Sequence, residues 1–556
     1  MTVKVKAGTE VHPKDAKLSM AYIYVAFAAF LTGAVAGVVQ GLQRAGLIDL
    51  PAGINYYQVL TAHGVLLALV FTTYFIFAFL TAGMSKTLGA FPEKYRQAGW
   101  IGFYVLTLGT LLTAIMILLN EGTVLYTFYA PLQAHPLFYL GLTLFVVGTW
   151  IAGGALLAHY FNWKRENKGQ LTPLFGFMTV ATILLWYIAT IGVAATVLLQ
   201  LLPWSLGISE RINVLLSRTL FWYFGHPLVY FWLMPAYMAW YVVIPKIIGG
   251  KLFSDALARL AFVLFLLLSI PVGFHHQLME PGISPFWKYI QTVLTFAVVV
   301  PSLLTAFTIF ATFELAGRAK GASGLFGWWK KLPWKDVRFF APFIAMVMFI
   351  PAGAGGIINA SHQMNAVVHN TLWVVGHFHL TVGTTVLLTF FGISYWLIPV
   401  LTGRRLTPAI NRLGIIQSVL WVVGMFFMSG AMHVLGLLGA PRRTAFTTYQ
   451  DHPTALAWLE GVFSSQVTMS IGGVILFIAA LLMIYNVINL CFLAPKEHTE
   501  FPIGEVAEDA SQTPPLLENW KLWVALAVAL ILFAYTIPLM DMIQNAPPGS
   551  PPVRPW

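Results

Sequence analysis

Charge is what this sequence has least of. Asp, Glu, Lys and Arg make up 9% of its 556 residues, against about 25% in an average soluble domain. A water-soluble fold of this size could not cover its surface with so few charges. An ordinary soluble enzyme and a disordered chain are both excluded. Cysteine is scarcer still: Cys491 is the one in the chain. That excludes intrachain disulfides, paired-cysteine metal sites and CxxCH haem attachment. Apolar residues fill the space instead, 58% hydrophobic and 15% aromatic, which points to an all-α protein crossing a membrane many times. The net charge of +11 does not point to nucleic acid. Its basic residues come in short clusters between apolar runs, as in the loops of a membrane protein.

A spanning helix needs about 20 mainly apolar residues. Thirteen stretches qualify: 20–42, 57–83, 98–119, 136–160, 174–202, 218–246, 258–279, 286–315, 339–360, 370–400, 413–437, 461–493 and 520–543. Connections are short, so the expectation is one integral-membrane domain over 1–556, with a cytoplasmic tail at 1–19, spans over 20–543 and an outer tail at 544–556. The basic N-terminal segment lacks the small-residue cleavage site of a signal peptide. With the N-terminus inside, 24 of the 31 Lys and Arg fall on the inner side and 7 outside, in agreement with the positive-inside rule. Thirteen spans then leave the C-terminus outside.

Ionisable residues within spans are costly and mark function. Of 14 histidines, His63, His226, His275, His276, His377 and His379 lie in four different spans, all roughly 6–14 Å below the outer surface at about 1.5 Å per residue. One histidine between packed helices needs no special account. Six at one depth point to a shared layer of metal cofactors, since neutral imidazole ligates Cu, Fe and Zn. In Gly376-His377-Phe378-His379 the two histidines are about 200° apart on a helix and face nearly opposite ways, so they suit two cofactors rather than one. His275 and His276 are about 100° apart; with His226 they could converge on one ion. Tyr230 lies four residues from His226, on the same face and one turn deeper.

These motifs resemble subunit I of the haem–copper oxidases, along nearly the whole chain. They are GHPLVYFW (225–232), GFHHQ (273–277), VGHFHL (375–380) and YYQVLTAHG, which carries His63. The resemblance implies a copper on His226, His275 and His276, and a Tyr230 that is covalently linked to its neighbouring histidine and supplies a proton and an electron for O–O cleavage. It implies a high-spin haem on His377 and a low-spin haem between His63 and His379. Leu228 stands where the A-type branch carries the glutamate that ends a proton channel. Together with thirteen spans, this resembles the B-type (ba-type) branch, which implies a low-spin haem b, a high-spin a-type haem and one proton path. The stations of that path match Ser254, Tyr241, Tyr237, Ser302, Thr305, Thr308 and Tyr230. Tyr230, Tyr237 and Tyr241 also share one helix face by spacing.

Arg442 and Arg443 form a rare basic pair on the positive-poor side and resemble the family's propionate-binding pair. His369 matches a position near a propionate of the high-spin haem, and Asn365 stands where B-type relatives carry aspartate. Glu121 and residues 126–132 read as an outer loop folded over the haem region. The implied activity is that of a proton-translocating cytochrome c oxidase in a prokaryotic plasma membrane, reducing O2 to water. Its implied partners are membrane lipid, a subunit II with a dinuclear copper, cytochrome c or quinol as donor, and a small third helical subunit. A quinol oxidase is the alternative within the class. Leu228 and Tyr230 argue against a nitric-oxide reductase, and a proton-coupled transporter would hold no haem.

Overall fold

The computed structural model describes residues 10–444, 453–508 and 512–555, with only the helical backbone for 453–461. Lys4 and Lys6 of the expected tail, and His452, lie outside the described residues. In chain order the long helices are α1 (Pro13–Arg44), α2 (Tyr56–Leu88), α3 (Glu93–Leu118), α4 (Pro136–Glu166), α5 (Leu174–Ser205) and α6 (Val214–Ile247). The short α7 (Asp255–Leu268) follows. Then come α8 (Pro285–Ala319), α9 (Val337–Ala360), α10 (Leu372–Thr402), α11 (Pro408–Leu437), α12 (Pro453–Ile488) and α13 (Trp520–Gln544). Among the described residues twelve helices are long and apolar enough to span a membrane.

The seventh expected span, 258–279, is not one continuous helix. α7 stops at Leu268, and the chain re-forms as a 3-10 turn over Gly273–Gln277. Pro271 lies in the gap; it lacks an N–H and cannot continue the α-helical ladder. The stretch still runs from the basic-rich face towards the histidine layer. Phe253 N–H donates to Thr312 at 3.0 Å, and His275 reaches Thr295 at 3.0 Å. Three helices also carry π-helical turns beside the residues singled out above. Val65–Phe71 follows His63, Thr381–Val386 follows His379, and Ala239–Val243 contains Tyr241. Such turns re-aim side chains and often mark functional positions.

Apolar side chains alone cannot order helices in lipid, where close backbone approach takes over. α3 and α4 meet through glycines: a Cβ on Gly109 would lie 2.4 Å from Phe145 N, and one on Gly148 would lie 2.3 Å from Leu106 N. The result is a bundle in which α2, α6 and α10 are central. Their apolar windows are 89% buried, against 28–56% for every other span. These three carry His63, His226, Tyr230, His377 and His379.

Both ends are tied by polar contacts. At the basic-rich face Arg259 bonds Asp255 at 2.6 Å and Glu518 at 3.3 Å, and Lys164 also meets Glu518. Beside them β1 (Lys251–Leu252) pairs in parallel with β2 (Glu505–Val506). At the opposite face the C-terminal tail straps two loops. Val553 exchanges backbone bonds with Pro131 (2.9 Å) and Gln133 (2.8 Å), and Ser550 pairs with Ile212.

Candidate metal and cofactor site

His226, His275 and His276 come together, each offering a ligand atom within 4.8 Å of the others. His226 Nδ1 faces His276 Nε2 at 3.0 Å, while its Nε2 is buried without a partner. His276 lies flat on Trp222, 3.7 Å between centroids. The Tyr230 ring is 5.2 Å from His226 and rests on Phe265. Three convergent neutral imidazoles with an open side suit a copper ion.

His63 and His379 face each other with near-parallel rings, centroids 6.2 Å apart. That gap takes one ion with a nitrogen bond of about 2 Å on each side. Each Nδ1 meets a backbone carbonyl, Gly33 O at 2.9 Å and Val375 O at 2.8 Å. A carbonyl only accepts, so each Nδ1 carries the proton and each Nε2 is left as the ligand atom. His377, two residues from His379, turns to the other side of α10 and packs against Gly355 of α9. A single cavity of about 640 Å³ runs past all six histidines and Tyr230, with apolar walls from Phe30, Leu233, Val382 and Met425. An apolar lining with several convergent imidazoles suits an apolar macrocycle and a metal ion.

Its polar rim lies at the face opposite the basic clusters. Arg442 bonds Asn370 Oδ1 at 2.8 Å, and Arg443 lies over the Tyr129 ring at 4.7 Å. Among the described residues neither has a carboxylate at ion-pair distance. Burial and the neighbouring Arg443 push the Arg442 guanidinium down to about 10. Burial, with Arg442 and Arg218 nearby, pushes His369 down to about 4. Arg443 Nη2 and His369 Nε2 are buried without partners, and so is the acceptor Asn365 Oδ1. A cationic rim with an orphaned guanidinium donor fits the carboxylates of haem propionates. Arg44, counted from the sequence only as an outer loop charge, also lines the cavity and bonds Pro441 O at 2.7 Å. The expected loop does fold over the site: Tyr126 lines the cavity and packs on Phe378, 6.0 Å between centroids.

The hydroxyl residues form rungs between α6 and α8. Tyr241 donates to Thr305 at 2.8 Å, and Tyr237 donates to Ser302 at 3.4 Å. Tyr230 and Tyr237 both rest on Phe265, so they share a face. Thr308 continues α8 towards the basic-rich face and donates to Leu304 O. Ser254 is buried at the start of α7, where its hydroxyl accepts from Leu257 N–H as the helix cap. Thr312, not among the residues expected from the sequence, accepts from Phe253 N–H and so lies between Thr308 and Ser254. Its signal was the four-residue step from Thr308.

Fold and site together define a membrane oxidase subunit of the haem–copper class. Residues 17–475 match the model of the cytochrome c and quinol oxidase polypeptide I family, and the chain belongs to that family. It is 42% identical over 554 residues to a cytochrome c oxidase subunit 1 of Thermus thermophilus, covering 97% of both chains. It is 27% identical over 451 residues to the Bacillus subtilis subunit 1, covering 78% of this chain and 67% of that one. Among solved structures, a heme–copper terminal oxidase dimer superposes with a TM-score of 0.91 at 39% identity, covering 97% of this chain and 95% of that one.

Proposed function

We propose that this chain is the catalytic subunit of a proton-translocating cytochrome c oxidase of the B type, reducing O2 to water. The observation that carries this is the single cavity joining the His63–His379 pair to His377 and the three-histidine cluster. A low-spin haem b, a high-spin a-type haem and one copper, when bound, supply the electron transfer and the four-electron reduction of O2.

The chain's own part is to hold, orient and deliver. His63 and His379 would hold the low-spin haem, with their tautomers fixed by Gly33 O and Val375 O. His377 would hold the high-spin haem, and His226, His275 and His276 the copper. Arg442, Arg443 and His369 would take the propionates. The Tyr230 phenol would supply one proton and one electron, and it lies beside His226, whose Nε2 is the unpartnered atom. Protons enter at the basic-rich face and pass Ser254, Thr312, Thr308, Thr305, Tyr241, Ser302 and Tyr237 to Tyr230. Water is kept out elsewhere by the apolar walls.

Electrons come from cytochrome c through a second subunit with a dinuclear copper, since one cysteine, Cys491, cannot hold such a site here. Lipid and a small third helical subunit cover the apolar flanks. The basic-rich face is cytoplasmic, the N-terminus inside and the C-terminus outside, in a prokaryotic plasma membrane. The cytochrome c oxidase relatives favour cytochrome c over quinol as donor. Haem extraction, copper analysis and oxidation assays with both donors test the reading. Two haems, one copper and cytochrome c turnover are expected. Turnover with quinol alone would make it a quinol oxidase, and a protein without haem would be a transporter.

A further inference from the structure

The broken end of α7 leaves backbone groups that no helix satisfies, buried among the spans. Two neighbouring helices supply what is missing. Tyr535 of α13 accepts from Gly273 N–H at 3.0 Å and donates to Ile270 O at 3.2 Å. Gln291 of α8 accepts from Phe274 N–H at 2.8 Å and donates to Ala534 O at 3.1 Å. One turn further along α8, Thr295 Oγ1 lies 2.7 Å from Gln291 O and 3.0 Å from His275 Nδ1.

The direction of these bonds is settled by chemistry. A carbonyl only accepts, so the Thr295 hydroxyl proton goes to Gln291 O. The same oxygen can then only accept from His275, so Nδ1 of that ring carries the hydrogen. A neutral imidazole has one N–H, so Nε2 keeps the lone pair. His226 points the opposite way: its Nδ1 faces the cluster and its Nε2 does not. The choice of nitrogen is therefore made separately at each histidine.

We propose that Thr295 is a positioning residue for the copper centre: it fixes His275 in the Nδ1–H form and so presents Nε2 to the ion. The inference rests on reading His226, His275 and His276 as copper ligands. Partners of this kind typically change metal affinity by about 10–100-fold. The test uses the purified complex with Thr295→Val, which keeps the shape and removes the hydroxyl, and Thr295→Ser, which keeps the hydroxyl. Assembly is scored by the low-spin haem spectrum, which depends on residues remote from Thr295. Copper is read by metal analysis, by its loss to a cuprous chelator, and by the infrared stretch of carbon monoxide transferred to copper by photolysis. Thr295→Val should bind copper about tenfold or more weakly and shift that stretch, and Thr295→Ser should restore both. Thr295→Ala is measured in the same way if the valine variant does not assemble. Native copper retention and an unshifted stretch in the hydroxyl-free variant would overturn the proposal, as would a serine variant that fails like the valine. Native protein without copper would instead overturn the functional reading beneath it.

Discussion

At Gly37 and Gly355 a hydrogen atom leaves room for an imidazole. A Cβ at Gly37 would sit 2.6 Å from His63 Nδ1, and one at Gly355 would sit 2.5 Å from His377 Nδ1. Both glycines lie on helices neighbouring the histidine, so an added methyl must push the imidazole or part the helices, at about 1–3 kcal/mol. Gly37→Ala should shift the low-spin haem bands and leave the high-spin haem unchanged, and Gly355→Ala the reverse. Reduced-minus-oxidised spectra separate the two. Tyr230→Phe makes the complementary test: haem content should be retained while O2 consumption falls about 100-fold or more, the scale of a lost proton donor. Full turnover would refute its role. The histidines and Tyr230 were legible in the sequence because ionisable groups inside apolar runs stand out. The glycines, Arg44 and Thr295 were not, because each acts through a contact on another helix that no spacing along the chain encodes.

The helices themselves were legible as spans, since hydropathy marks length. Two properties were hidden. Lipid-facing and core-facing residues are both apolar, so the centrality of α2, α6 and α10 could not be read from composition. The break in α7 was masked because the apolar run continues through Pro271. The rungs between α6 and α8 can be cut one at a time. Thr308→Ala should leave both haem spectra intact and slow proton uptake about tenfold, equivalent to about 1.4 kcal/mol; uptake at the native rate would remove Thr308 from the path. Ser254→Ala is less selective, because it also removes the α7 cap at a cost of about 1 kcal/mol. Glu518, just before α13, makes stability depend on pH. Burial raises the Glu518 carboxyl, but bonds from Lys164 and Thr172 outweigh it and hold it below its ordinary value of 4.5. A carboxyl lowered on folding contributes stability above its unfolded value, and that contribution is lost as pH falls through the folded one. Thermal stability should therefore drop as pH falls below about 4.5, and Glu518→Gln should lessen that drop.

Across the whole molecule, the basic residues sort to one face and the cationic rim of the cavity lies at the other. Ser254 and Thr312 open the hydroxyl path at the basic-rich face, while the pocket holding Arg442 opposes it. If protons enter from one side and electrons from the other, every turnover moves charge against the membrane potential, at about 2.3 kcal/mol per charge per 100 mV. The orientation decides whether that work charges the membrane or discharges it. The scarcity of cysteine makes it measurable, because Cys491 is buried and gives little background to a thiol reagent. Ser209, exposed in the loop after α5, and Ser323, exposed in the basic loop after α8, lie at opposite faces by span count. An impermeant maleimide applied to intact cells should label Ser209→Cys and spare Ser323→Cys until the membrane is opened. In vesicles of that orientation, with reduced cytochrome c outside, an uncoupler that collapses the potential should raise O2 consumption. Labelling of Ser323→Cys in intact cells would reverse the assigned topology, and consumption indifferent to the uncoupler would mean that the path from Ser254 to Tyr230 does not carry charge across the field.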